Sequence, residues 1–218
     1  MKTSERALWR RNKDAMDGFT YLNKLEAAYR AKGLGDQWDA MKSVAHGITE
    51  EQKAAIITRY PGVPEELLQM LSVIDGTYYR EYVPGNELRF YMFGSDVEDG
   101  GYPYYLHAFA DIMEQKRASE QVPLIDWHHK NPDDEDIFYD KKLLSEPENM
   151  NWMCFSHCMN NGGTSALYID FTPSPEGRVG QIVRELDDED GLLVIADSFA
   201  EFLDLQEKNG FAVVSAVN

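Results

Sequence analysis

The chain has 218 residues, 43% of them hydrophobic, and carries 38 Asp and Glu against 21 Lys and Arg, a formal net charge of −17. That is enough chain for one sizeable core, and its field repels nucleic acid and anionic membrane while attracting cationic proteins. No run of 18 apolar residues exists and the N-terminus lacks the apolar stretch of a secretory signal, so a cytoplasmic protein with no membrane contact is expected.

In chain order, Leu8, Trp9, Phe19, Tyr21, Leu22, Leu25, Ala28 and Tyr29 recur at spacings of three and four, predicting one or two helices broken near Gly18 and ended at Gly33 and Gly35. Trp38, Met41, Val44 and Ala45 suit a short second helix. Thr49 and Gln52 form a capping-box pattern for a third, running to Arg59 and stopped by Pro61. Pro64 opens the next, with Leu67, Leu68 and Leu71 on its inner face and Gly76 closing it. The texture then turns aromatic and extended: Tyr78, Tyr79 and Tyr82, then Leu88 to Phe93 alternating around Arg89, a predicted strand pair. After Gly100, Gly101 and Pro103 a helix is expected from Tyr105 to about Ala118, with Leu106, Phe109, Ile112 and Met113 inward. Residues 126–150 hold Asn131, Pro132, Pro147 and Asn149 and read as a long loop.

The last third is the most regular. Trp152 to His157 and Ala166 to Phe171 flank Asn160, Asn161, Gly162 and Gly163, a hairpin signal. Asp170 to Gly177 interrupts pairing, Val179 to Arg184 and Leu192 to Ile195 resume it, and Asp197 or Ser198 caps a helix built on Phe199, Phe202, Leu203 and Leu205.

No chemistry-bearing motif emerges. His128 and His129 precede Asp133, Asp134 and Asp136, but the spacing matches no metalloenzyme pattern, and histidines adjacent on a strand point to opposite faces. Cys154, His157 and Cys158 resemble a ligand set, yet strand alternation sends His157 to the face opposite both thiols, which are expected to be reduced. Ser156 has no nucleophile elbow, and the glycine pairs lack the spacing and lysine of a phosphate loop. No catalytic residue, metal or cofactor is expected. A metal-dependent hydrolase using His128, His129 and Asp133 is the least favoured alternative.

Charge is unevenly placed. Residues 1–32 carry eight Lys or Arg against four acids, a net of +4, so the remaining 186 residues stand at −21. Their acids form three runs: Asp96, Glu98 and Asp99; Asp133, Asp134, Glu135 and Asp136; and Asp187, Asp188, Glu189 and Asp190. Taken singly, such runs are solvated turns; if the three converge they make an acidic docking face.

Several of these segments together resemble the SUKH superfamily, which includes fungal Smi and Knr cell-wall regulators and many bacterial immunity proteins. The proline-initiated helix ending in an Asn-Gly pair resembles VPEELLQMLSVIDG, with Asp75 in place of Asn. Trp152 at a strand start, Ile169, Asp170 and Phe171 in the next strand, Gly180 with Ile182, and Ser198 to Leu203 follow in the family's order, so that the likeness covers about Tyr60 to Glu207. The resemblance implies an α+β fold in two parts. Residues 1–45 would be a helical extension, and residues 46–218 a SUKH-like domain with a mixed, largely antiparallel sheet of about five or six strands and helices packed on one side. It also implies a non-catalytic immunity protein whose partner is a cognate toxin domain, basic as a nuclease would be, met by the three acid runs. A regulatory scaffold of the fungal kind is the alternative.

Overall fold

In a computed structural model the described residues are 16–94, 103–116, 120, 122–134, 136–159, 164–186 and 191–216. Four helices come first: α1 (Gly18–Ala31), α2 (Gly35–Val44), α3 (Glu50–Arg59) and α4 (Glu65–Leu71). A two-stranded hairpin, β1 (Arg80–Val83) and β2 (Asn86–Leu88), stands apart from the main sheet. That sheet contains β3 (Tyr91–Phe93), β4 (Tyr104–Leu106), β5 (Phe138–Tyr139), β6 (Trp152–Met159), β7 (Thr164–Asp170), β8 (Gln181–Leu186) and β9 (Gly191–Ala196) in the order β3-β4-β6-β7-β8-β9-β5. Every pairing is antiparallel except β5 with β9. Helices α5 (Phe109–Glu114) and α6 (Pro123–Lys130) lie between β4 and β5, and α7 (Phe199–Lys208) follows β9. The α+β class and mixed sheet agree with the sequence reading, with seven strands where five or six were expected.

The two faces of the sheet bury different clusters. Met153, Phe155, Leu167, Ile169 and Ile182 join the large core, to which α1–α5 and α7 also contribute. Trp152, Cys154, Ala166, Tyr168, Val183 and Leu192 face the other way, against Val122 before α6, Ile125 of α6, Leu143 and Met150. Helix α6 thus covers part of the face expected to lie free.

Local signals explain most boundaries. Thr49 and Gln52 make the predicted capping box, and Ser198 caps α7 by accepting from the Glu201 N–H. Buried Tyr21 and Tyr29 of α1 donate their hydroxyls to the carbonyls of Met92 and Tyr91, tying α1 to the edge strand β3. Asp170 is fully buried and accepts from Gln181 Nε2 (2.9 Å) and Thr172 N (2.8 Å); burial still holds its carboxyl up at about 6.

Four expectations need correction. Tyr105 and Leu106 are strand, not helix, because β4 bridges β3 and β6 and the sheet's hydrogen bonds override a weak helical period. Leu88 to Phe93 is not one strand: it divides at Arg89–Phe90 between the hairpin and the main sheet. Helix α4 stops at Leu71, five residues before Gly76. Residues 126–150 are not a long loop, for Pro123 sits at the first turn of α6 and Phe138 and Tyr139 pair with β9.

The Asp75–Gly76 pair, the family-like signature, anchors α5. Asp75 is 3% exposed, ion-paired to Arg80 (2.9 Å), and its Oδ1 accepts the Phe109 N–H (2.7 Å) at the start of α5. Gly76 has φ +85°, and a Cβ there would lie 2.5 Å from the Ala108 nitrogen. Two costs therefore fall on any side chain: a left-handed backbone of about 1–2 kcal/mol and a clash with unyielding main chain. Gly85, with φ +79° but no atom within 4 Å of its would-be Cβ, carries only the first cost. Gly85→Ala is expected to lose about 1 kcal/mol in urea denaturation and Gly76→Ala at least about 3; equal losses would remove the close approach from the account.

Candidate functional site: a cavity on the second face of the sheet

Strand β6 contains a bulge. Cys154 pairs with Tyr168 while Ser156 pairs with Leu167, so two steps along β6 match one along β7. The inserted residue resets the alternation. Cys154 faces the small cluster, Cys158 the large core, and His157 returns to the side of Cys154. This corrects the expectation that His157 lies opposite both cysteines. Both thiols are free and buried, and burial raises both, Cys158 to about 11.

Pairing of β4 with β6 ends at Leu106 and Ser156, and beyond it Gln115, just past α5, takes the place of β4. Its side-chain amide donates to the Cys154 carbonyl (2.5 Å) and accepts the Cys154 N–H (3.0 Å), an imitation of a neighbouring strand. Arg59 donates to the carbonyls of Met113 (2.6 Å) and Gln115, fixing the C-terminal end of α5 as Asp75 fixes its start. With α5 held at both ends, a cavity of about 970 Å³ remains between α5, α6 and the sheet.

Its floor is His107, Cys154, His157, Tyr168 and Glu185, its α5 side is Asp111 and Glu114, and Trp127 of α6 stands at the mouth. The rings of His107 and His157 lie 6.1 Å apart and nearly parallel, and Tyr78 packs within 5.5 Å of both. Beyond them Tyr105 and Tyr79 extend an aromatic surface, with Arg89 over the Tyr79 ring. Glu185 is 8% exposed and accepts the Tyr168 hydroxyl (2.7 Å). Burial raises the Asp111 carboxyl although it accepts the Ala108 N–H. Burial, then the neighbouring His157, lowers His107 to about 3, so that ring is neutral at physiological pH.

The histidines beside the acid run do other work. His128 and His129 are on α6, not a strand; the first stacks on Tyr139 at 3.9 Å and the second contacts the Ser145 carbonyl at 2.8 Å. Asp134 accepts the Trp127 indole N–H (3.0 Å). Among the described residues no three His, Cys, Asp or Glu converge as a metal site would require. Nor is any described helix long and apolar enough to cross a membrane.

Of the expected partner-binding acids, Asp133 and Asp136 are exposed and Asp134 half-buried. Asp96, Glu98, Asp99, Glu135, Asp187, Asp188, Glu189 and Asp190 lie outside the described residues. The strand ends flanking those runs do fall along one line: Phe93 pairs with Tyr104, Ser165 with Leu186, Leu186 with Gly191, and Gly191 with Phe138. The cavity was missed in the sequence because a bulge leaves no trace in apolar periodicity. Its one legible signal was Pro123 followed by Ile125, which marks a helix start.

A family model described as SMI1 / KNR4 family (SUKH-1) matches residues 47–205, more than half of the chain. The chain belongs to this family. No curated protein matches the chain significantly. The SUKH-1 match runs from just before α3 into α7, so both the Asp75–Gly76 turn and every residue named around the cavity fall inside it.

A buried neutral histidine leaves a pH signature. Its folded pKa is depressed, so its contribution to stability is intact above about 6.5 and is lost as pH falls toward 3. Between pH 7 and 5 the wild type is expected to lose about 2 kcal/mol relative to His107→Gln in urea denaturation. A gap that does not change with pH would mean that His107 is solvated.

Proposed function

We propose that this SUKH-1 protein is a cytoplasmic immunity protein that binds a cognate toxin domain stoichiometrically and blocks it without catalysis. The partner surface is acidic and consists of Asp96, Glu98 and Asp99, Asp133 to Asp136, and Asp187 to Asp190. In the same reading residues 1–45 are a helical extension built onto a domain of residues 46–218. The observation that carries the proposal is the register of the sheet, in which strand ends flanking all three acid runs share one end. Family membership supports it, and so does the charge of −17, which suits a basic partner such as a nuclease with a cationic cleft.

Electrostatic steering of this kind acts mainly on association rate and weakens with salt. Co-expression with the protein toxin encoded beside the gene is expected to restore growth and to yield a one-to-one complex on purification. Loss of both would overturn the proposal. Asp133→Asn combined with Asp136→Asn, both at exposed positions, is expected to slow association several-fold at low salt and to leave it unchanged at high salt.

A further inference from the structure

We propose that the cavity between α5, α6 and the second face of the sheet receives a cationic side chain, an arginine guanidinium or lysine ammonium on a surface loop of the protein partner. The inference rests on the toxin-binding reading and gives that partner a point of insertion.

Four observations converge. The walls carry carboxylates from separate elements, Asp111 and Glu114 on α5 and Glu185 on β8, and Lys116 is the only Lys or Arg among the described lining residues. The two histidines do not offset this charge in the case of His107, which burial keeps neutral. His107 is 9% exposed, and its Nδ1 has no hydrogen-bond partner among the described residues, an unmet polar atom in the cavity floor. Trp127, 54% exposed at the mouth, has its ring fixed through the indole N–H on Asp134, so that an aromatic ring lines the cavity beside the carboxylates.

Position favours a protein side chain over a free amine. Glu185 and His157 lie within two residues of the β8 and β6 strand ends, on the same end of the sheet that flanks the acid runs. A partner drawn to that end by charge would present its basic loops at the cavity mouth. Arginine is enriched among the buried residues that contribute most to affinity in protein interfaces, and its hydrogen bonds to carboxylates are among the stronger ones.

The test uses the full chain and N-acetyl-arginine amide, with N-acetyl-citrulline amide as its neutral isostere. The Trp127 indole resonance, assigned through Trp127→Phe, is expected to shift saturably with the arginine probe and at least tenfold more weakly with citrulline. Glu114→Gln, at an exposed position, and Glu185→Gln, which retains an acceptor for Tyr168, should each weaken the arginine response severalfold with unchanged thermal melting. No saturable shift, an equal response to citrulline, or unaltered binding by both variants would overturn the proposal. With the toxin domain in hand, the double variant is expected to raise Kd at least tenfold. Rescue of growth with Kd unaffected by the variants would overturn the pocket and leave the immunity reading standing. Probe binding without any toxin complex would overturn the immunity reading and assign the cavity to a free cation.

Discussion

The site depends on one extra residue in β6. Without the bulge between Cys154 and Ser156, His157 would point into the large core beside Phe155, and Cys154 and Cys158 would share the second face. Pairing of β4 with β6 ends at Leu106 and Ser156, and beyond that point the side chain of Gln115 partners the Cys154 main chain. That contact brings the end of α5 to the sheet. The cavity is thus a consequence of backbone hydrogen bonds that had to be satisfied, with its polar lining delivered as a result.

A second constraint works from the other end of α5. Asp75 is buried, so its charge is tolerated only because Arg80 and the Phe109 N–H meet it. Gly76 then allows the chain to pass against Ala108. The Asp-Gly pair reads in the sequence as a helix terminator, yet its stronger role is to hold the start of a different helix 34 residues later. A substitution there would loosen α5, and with it the wall bearing Asp111 and Glu114, without touching the cavity directly.

How much was legible follows from which interactions were local. The capping box of α3, the hairpin of β6 and β7, strands β8 and β9 and the Ser198-capped helix rest on neighbouring residues, and local sequence patterns find them. The β4 strand, the split between β2 and β3, and the parallel β5 are set by partners far along the chain, so Tyr105 could pass for helix and Phe138 for loop. The cavity was hidden for the same reason, since Gln115, Arg59 and Asp75 act on partners 34 to 56 positions away. The acid runs were plain in composition, whereas the alignment of the strand ends that flank them required the register.

The proposed partner engages the end of the sheet shared by those strand ends, together with the adjoining cavity. Hydrogen exchange on the free chain and on its complex with the toxin domain tests it most directly. Protection on binding should concentrate at Tyr91–Gly94, Pro103–His107, Cys154–Cys158, Arg184–Leu186 and α6, with α2 and α3 unchanged. Protection confined to α2, α3 and the β1–β2 hairpin would contradict it.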